Sequence, residues 1–426
     1  MQMSLAERME GERREQEEAV QDVALLNCQY YLRSTGHYVL LRQCPSIGSR
    51  AQKHWFHVRK VGAKSHILLC MFPRSAGCPL PFTDMTCKTL NELLLLLQHP
   101  YIFSELSIDF IPDQNLCVVL QTCSKGGSLK DAIYRSKPSD CYQIKYGSRG
   151  TPVAVAAMQR QCKQILVAML FLAEKGLTSL NHLHSGNVIF QKDGQCRLDV
   201  LANVFLSVKP KIQPLIKRQI KEQPQAFDSL CFGHLLFEMC TGYELDCAAP
   251  QPRHLLDVAG HDAVEILNFI FHSEVTPSIK EIAEHAFFRC VDLRELRMYN
   301  PAPIKMTPAM KSLLKACNEA SRLQSHGGRH GRKSNAAHAT VEQRRRSSVA
   351  SSSSSKKPVK RPPQPLTESV QTSAASTSKP VAARNGPEVV PDVIVQSSSR
   401  VALMQDIRQG TRLKHVVDEK LVSPRA

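Results

Sequence analysis

The spacing of apolar and polar positions divides the chain into a strand-rich first part and a helix-rich second part. Between residues 29 and 72, short segments of Tyr, Val, Leu and Ile alternate with Gly, Pro and Ser breaks, which is typical of a small antiparallel sheet. Residues 89–98 include five consecutive leucines and predict a short helix, and Leu116–Leu120 predict a buried strand. A Gly-Gly turn then leads to Ser128, which is placed to cap a helix.

The middle of the chain carries the clearest chemical motif. An apolar helix at residues 164–172 runs into a polar loop, the short apolar strand Val188–Phe190, a Lys-Asp-Gly turn and a second strand. This order resembles the catalytic segment of a protein kinase, in which the loop reads H-R-D-L-x-x-x-N. Asn187 matches the kinase Asn. His182 then occupies the position of the Asp that receives the substrate proton, so the motif is damaged where the chemistry takes place.

The other kinase motifs are incomplete as well. Asp199 is followed by Val-Leu, whereas the metal-binding kinase motif is D-F-G. The strand at residues 66–72 contains no lysine to pair with phosphates, and Lys64 lies just before it. Residues 46–50 offer one glycine, so the backbone cannot approach phosphates closely along this loop. Asn187 and Asp199 remain candidate ATP-binding residues, but the sequence predicts no cofactor, no metal site and no assigned catalytic residue.

Segments on both sides of the motif resemble structural parts of a kinase. A His-Pro pair follows the leucine-rich helix, as in kinases, which makes Glu92 the candidate for the glutamate of the regulatory helix. Residues 226–242 resemble the central helix of the kinase carboxy lobe, where Asp228 would accept backbone amides of the catalytic loop. Residues 276–288 resemble the final helices. The resemblance covers residues 28–293 and implies an α+β, two-lobed protein-kinase-like fold.

The same matches set the expected domain boundaries. We expect a charged arm at residues 1–23, an amino lobe at 24–123 and a carboxy lobe at 124–300. A helical extension at 301–324, a disordered basic tail rich in Ser and Pro at 325–399, and a terminal motif at 400–418 should follow.

Three details narrow the family. The loop sequence His-Leu-His-x-x-Asn-Val, the helix Cys-Phe-Gly-His-Leu-Leu-x-Glu-Met and the stretch Gly-Ser-Leu-Lys-Asp-x-Ile-Tyr134 resemble the PX-domain-containing protein-kinase-like group, a group of pseudokinases. The lobes are not preceded by a PX segment, which favours the slowpoke-binding branch. This resemblance implies binding and regulation of a calcium-activated potassium channel of the slowpoke type, 14-3-3 protein as a further partner, and a cytoplasmic location at the plasma membrane through the channel.

Composition adds a basic tail to this interpretation. The chain has 426 residues, 42% of them hydrophobic, and a formal net charge of +17. Residues 325–365 contain ten Lys or Arg and one acid. Such a run could contact nucleic acid or an anionic membrane by electrostatics alone, or be a solvated linker, so no specific nucleic acid partner is predicted. No apolar run reaches the length of a membrane span, and the fifteen scattered cysteines form no C-x-x-C pair, which favours reduced core residues of an intracellular protein.

The tail carries a phosphorylation motif. Ser347 and Ser348 follow Arg344-Arg345-Arg346, a pattern typical of sites for basophilic protein kinases. Phosphorylation would add charge that an arginine-lined receptor such as 14-3-3 protein can bind.

The end of the chain resembles a WASP-homology-2 actin-binding motif. Leu403 and Ile407 would lie on one apolar face of a short helix, and Leu413, Lys414 and Val416 would continue extended along the partner. A helix this short is expected to order only on binding.

Three functions remain open at this stage. The preferred one is a pseudokinase adaptor that binds partners without turnover. The second is a weakly active atypical Ser/Thr kinase that uses Asn187 and Asp199, with His182 as a substitute base. The third is an actin-binding scaffold. His182 and His184 could in principle ligate a metal, but they lack further ligands at recognised spacing, so loop histidines are favoured.

Overall fold

The computed structural model describes residues 5–191, 194–258, 260, 262–300 and 305–325. Several predicted features lie outside these residues: the Ser/Pro-rich tail after residue 325, the phosphorylation sites Ser347 and Ser348, and the actin-binding positions Leu403, Ile407, Leu413, Lys414 and Val416.

The amino lobe is a helix on a five-stranded sheet. Its elements are α1 (Leu5–Thr35), β1 (Tyr38–Gln43), β2 (His54–Lys60), β3 (His66–Pro73), α2 (Asp84–Leu96), β4 (Leu106–Ile111) and β5 (Leu116–Thr122). The strand order is β1-β2-β3-β5-β4, and every neighbouring pair is antiparallel. Alternate residues of β2, β3 and β5 face α1 and form one core with it.

Helix α1 crosses the boundary expected at residue 23. Ala24, Cys28, Tyr31 and Leu32 are buried against the sheet, and their spacing of three and four residues makes one helical face. The assignment of residues 29–35 to the sheet region is therefore wrong, because these residues form the last two turns of α1.

Helix α2 also begins earlier than its leucines suggest. The Thr83 hydroxyl accepts the backbone N–H of Thr86, and Asp84 lies in the positively polarised first turn. The helix therefore starts five residues before the predicted position.

The carboxy lobe is helical. Its elements are α3 (Leu129–Ile133), α4 (Tyr142–Lys145), α5 (Val155–Glu174), β6 (Val188–Phe190), β7 (Cys196–Leu198), α6 (Leu201–Phe205), α7 (Gln213–Glu222), α8 (Phe227–Thr241), α9 (Pro252–Asp257), α10 (Val264–His272), α11 (Ile279–Glu284) and α12 (Pro308–Ser325). Helix α8 is buried on nearly all sides and packs against α5, α10 and α11. The two-lobed α+β architecture that the sequence predicts is present.

Helix α12 contacts both lobes. It packs against α2 of the amino lobe and against α6 and α7 of the carboxy lobe. Asn318 donates from Nδ2 to the carbonyl of Gly176 at 2.6 Å, and its Oδ1 accepts the N–H of Thr178 at 3.3 Å. None of the described helices has the length and apolar character that a membrane span requires.

Candidate functional site

A cleft of about 440 Å³ lies between the lobes. Strands β1, β2, β3 and β5 form its roof, and the segment between β5 and α3 forms its back wall. Its floor includes His182, Asn187 and Asp199. This is a volume typical of small-molecule sites.

The floor is fixed to the central helix of the carboxy lobe. The Asp228 carboxylate, at the start of α8, accepts the backbone N–H groups of Leu180 at 3.0 Å and Asn181 at 2.6 Å. Asn187 donates from Nδ2 to the carbonyl of His182 at 2.8 Å. These bonds set the path of the loop without the help of a catalytic aspartate.

His182 is a poor proton acceptor in this setting. The side chain is buried, and burial together with the nearby cations Arg50 and Lys53 lowers its pKa well below the ordinary histidine value. Burial likewise lowers the pKa of His184 to about 3, and its Nδ1 accepts the N–H of Gly186 at 3.1 Å. A general base works best when its pKa is close to the operating pH, so neither imidazole is tuned for base catalysis near neutrality.

Asp199 faces the cleft from the residue that follows β7. Its backbone N–H donates to the carbonyl of Asn187 at 2.8 Å, which places the two candidate ATP-binding residues side by side. Burial raises the pKa of Asp199 to about 6, and the charge of Lys53 opposes this shift. Helix α6 begins two residues later, at the position where a kinase has the glycine of D-F-G.

Lys53 is the site residue that the sequence motifs did not reveal. Its Nζ donates to Oδ1 of Asn203 at 2.9 Å and lies 4.5 Å from the centroid of the Phe72 ring. Because His54 pairs with Met71 in the sheet, Lys53 enters the cleft beside Phe72, from the residue that precedes β2. The kinase pattern places this lysine on β3, whereas here the cation comes from the residue before β2.

The two other candidates for a lysine–glutamate pair lie elsewhere. Lys64 is exposed in the turn between β2 and β3. Glu92 is exposed on α2 and does not line the cleft. The inner face of α2 is occupied by Asn91, which exchanges hydrogen bonds of 2.7 and 3.0 Å with the backbone of Ile108 and so ties α2 to β4.

Ion pairs fill the region beside the back wall. Lys130 Nζ lies 2.8 Å from Glu238 and 3.0 Å from Glu244, between the rings of Tyr134 and Tyr146. Burial opposes the charged ammonium, but the two carboxylates raise the pKa of Lys130 above its ordinary value.

Two further ion pairs extend this region. Lys145 pairs with Asp131 at 2.9 Å, and Lys211 pairs with Glu244 at 2.6 Å. The lysines on this side are therefore already neutralised by protein carboxylates.

A second group of potential ligand atoms lies away from the cleft. Atoms of Asp246, Cys247 and His254 lie within 4.8 Å of one another. The ring of His254 already accepts the N–H of Gln251 at 3.1 Å, and Asp246 pairs with Arg253 at 3.2 Å. Protein contacts thus occupy these groups.

Several curated proteins are similar in sequence to parts of this chain. No family profile matches the sequence. The chain is 35% identical over 304 residues to the slowpoke-binding protein of Drosophila melanogaster, which takes in 67% of this chain and 59% of that protein. It is 27% identical to the probable inactive serine/threonine-protein kinase slob1 of Dictyostelium discoideum, over 64% of this chain and 51% of the relative.

A third relative and a solved structure extend this comparison. The chain is 30% identical to the PX domain-containing protein kinase-like protein of Mus musculus, over 52% of this chain and 38% of the relative. It therefore spans about two fifths to three fifths of the length of these three relatives. Among solved structures, the Cydia pomonella granulovirus kinase PK-1 superposes with a TM-score of 0.41 at 12% identity, over 62% of this chain and 98% of that kinase.

Proposed function

We propose that this chain, whose kinase-like domain belongs to the family that includes slowpoke-binding protein and the PX domain-containing kinase-like proteins, is a pseudokinase adaptor. It binds a slowpoke-type potassium channel and modulates it through that contact. The observation that carries the proposal is His182, a buried imidazole at the position where a kinase needs an ionised carboxylate.

The chemistry of the cleft supports binding in place of turnover. Phosphoryl transfer depends on positioning the nucleophile and on metal ions that neutralise the developing charge. At the floor of this cleft a neutral imidazole replaces the aspartate, and Lys53 faces Asp199. Helix α12 nevertheless contacts both lobes and so holds them together. A fixed surface without a competent base suits a scaffold.

Further partners in the proposal rest on motifs of the tail. Phosphorylation of Ser347 or Ser348 by a basophilic kinase would create a docking site for 14-3-3 protein, and Leu403–Val416 would bind actin. Through the channel, the protein would be held at the cytoplasmic face of the plasma membrane. The actin motif also supports a second candidate function, that of an actin-binding scaffold.

The first experiment measures binding of the purified full chain to the cytoplasmic region of a slowpoke-type channel, together with phosphoryl transfer to a generic substrate. We expect saturable channel binding that is unchanged by Asp199→Asn, and no phosphoryl transfer above the level of that variant. Transfer that disappears with Asp199→Asn would establish the atypical kinase. Absence of channel binding would overturn the adaptor proposal.

Two pairs of substitutions test the tail. Ser347→Ala with Ser348→Ala should abolish 14-3-3 binding after treatment with a basophilic kinase, and should leave actin binding intact. Leu413→Ala with Lys414→Ala should have the opposite effect. Each pair is the control for the other. Loss of both activities in one variant would show that the two motifs are not separate sites.

A further inference from the structure

We propose that one end of the amino-lobe sheet binds the surface of an anionic membrane. Four cations, Arg33, Arg59, Lys60 and Lys64, together with the exposed Val61, form this surface, the basic tip. The inference goes beyond the adaptor function. It involves neither the cleft nor the channel, so it can be tested on vesicles that contain no channel.

The strand-rich part of the amino lobe has no acidic residue. Between Asp22 and Asp84 the sequence contains eight Lys or Arg and no Asp or Glu over 61 residues. This segment comprises the second half of α1 and the strands β1, β2 and β3. Arg42, Arg50 and Lys53 of this set line the cleft, and four others belong to the basic tip. The positive charge is therefore not cancelled by acids along the chain.

The fold gathers the four cations of the basic tip at one end of the sheet. Arg59 and Lys60 end β2, and Lys64 lies in the turn that leads to β3. Arg33 lies in the last turn of α1, and β1 then begins opposite Lys60. All four side chains are exposed, and within the described part of the chain none of them pairs with an acid. Their charges face solvent.

An acidic side chain also lies at this end of the sheet, but at a distance from β2. Glu105 directly precedes β4, and the strands β3 and β5 lie between β4 and β2. The Glu105 carboxylate accepts the hydroxyl of Thr122. The basic tip therefore keeps its excess of positive charge.

An exposed valine stands at the corner of the turn between β2 and β3. The N–H of Ala63 donates to the carbonyl of Lys60 at 3.1 Å, and Gly62 has the positive φ, 76°, of the third residue in a type II turn. Val61 is the second residue of this turn and is 58% exposed. Its N–H donates to the carbonyl of His37 at 2.9 Å, which fixes the turn to the start of β1. The turn thus presents an aliphatic side chain to solvent between two lysines.

This combination of side chains suits a membrane surface better than other anions. An anionic bilayer attracts Lys and Arg through its surface potential, and the boundary of its acyl chains accepts aliphatic side chains. The cations of the basic tip do not line the cleft, where a small anion would be enclosed. Single-stranded nucleic acids stack on exposed aromatic rings, whereas the apolar side chains exposed here, Val39 and Val61, are aliphatic.

Sedimentation of the full chain with vesicles of phosphatidylcholine, with and without phosphatidylserine, tests the proposal. We expect binding that requires phosphatidylserine and weakens as salt is added. Lys60→Ala with Lys64→Ala should weaken partitioning about 25-fold, because each cation at an anionic surface contributes about fivefold. The matched control, Lys217→Ala with Arg218→Ala, removes the same charge from exposed positions on α7 and should change partitioning less than about twofold.

A second measurement reports on the turn alone, because the basic residues at 325–365 would also attract the full chain to anionic vesicles. Val61→Trp places a fluorophore in the turn, and lipids with a doxyl group on the acyl chain should quench it when the chain binds. Leu215→Trp, at an exposed position on α7, should not be quenched. The signal of Trp55 is subtracted with the unmodified chain.

Two results would contradict membrane binding by the basic tip. One is the absence of quenching at residue 61, and the other is an equal change of partitioning in the two double variants. Binding of duplex DNA that depends on Lys60 and Lys64, without binding of vesicles, would assign the basic tip to nucleic acid and also overturn the proposal.

Discussion

Lys130 is a buried charge whose neighbours are carboxylates and aromatic rings. Its ammonium and the Glu238 carboxylate are almost fully inaccessible to solvent and lie 2.8 Å apart. Ser185 Oγ donates to the other carboxylate oxygen of Glu238 at 2.6 Å, so the pair also holds the loop of the cleft floor. Removal of Lys130 takes away the cation that compensates the buried Glu238 carboxylate.

We predict that Lys130→Met lowers the free energy of unfolding by about 3–5 kcal/mol, because Glu238 then keeps a desolvated negative charge. Urea unfolding followed by the fluorescence of Trp55, the single tryptophan, measures this. Adding Glu238→Gln should recover part of the loss. The control is Arg218→Met, which removes an exposed pair with Glu222 and should cost less than about 1 kcal/mol. Equal losses of unfolding free energy at the two positions would show that the buried pair contributes no more to stability than the exposed pair.

Sequence motifs identify some residues of this site and miss others. Asn187 and Asp199 could be identified from their spacing in the sequence, because they are only twelve residues apart. Lys53 could not, since its role depends on the pairing of β2 with β3 and on Asn203, 150 residues away. A motif search looks for the lysine on one strand, whereas the cleft only requires an ammonium at a given point in space.

At the scale of elements, the apolar pattern located the strands and helices better than it located their ends. The strand expected at residues 66–72 is β3, and the strand that begins at Leu116 is β5. For helix α1, the charged residues led to a wrong domain boundary. Its first turns are covered with Glu and Arg, including Arg13 paired with Glu17, and the buried face appears only from Ala24 onwards. Packing against the sheet, and not the charged first half of the sequence, determines how far this helix continues.

Asn318 ties helix α12 to the carboxy lobe. Asn318 uses both ends of its amide on the turn at Gly176 and Thr178, which precedes the loop of the cleft floor. We predict that Asn318→Ala lowers the free energy of unfolding by about 1–3 kcal/mol, because a carbonyl and an N–H lose their partner. Lys315→Ala, at an exposed position on the same helix, should change stability by less than about 0.5 kcal/mol. Urea midpoints compare the variants, and equal midpoints for both would mean that water replaces the amide without cost.

At the scale of the molecule, the chain keeps the structural parts of a kinase and changes its chemical parts. Asp228, the packing of α8 and the five-stranded sheet maintain the two lobes, whereas His182 replaces the catalytic aspartate. The burial that stabilises the fold also leaves several imidazoles in poorly solvated positions. The whole domain should therefore respond to acid.

Histidines whose pKa values are lowered by burial determine the direction of this response. Burial lowers the pKa of His99 and His234 to about 4 and that of His184 to about 3, and it holds the pKa of His182 well below the ordinary value. In the unfolded chain these groups titrate near pH 6.5. Between that pH and the folded values, the unfolded state binds more protons, so the free energy of unfolding decreases as the pH falls. Asp199 and Asp228, whose pKa values burial raises, act in the opposite direction, Asp199 between about pH 6 and pH 4, but the histidines outnumber them.

We predict that urea midpoints are highest above about pH 7 and fall steadily towards pH 5, where each buried histidine costs roughly 1–2 kcal/mol. His234→Gln should reduce the slope between pH 6.5 and pH 5 by about 1.4 kcal/mol per pH unit, the value for one proton. His66→Gln, at an exposed position, should leave the slope unchanged. If the free energy of unfolding is independent of pH over this range, these imidazoles must bind protons as readily in the folded state as in the unfolded state. That would contradict their burial.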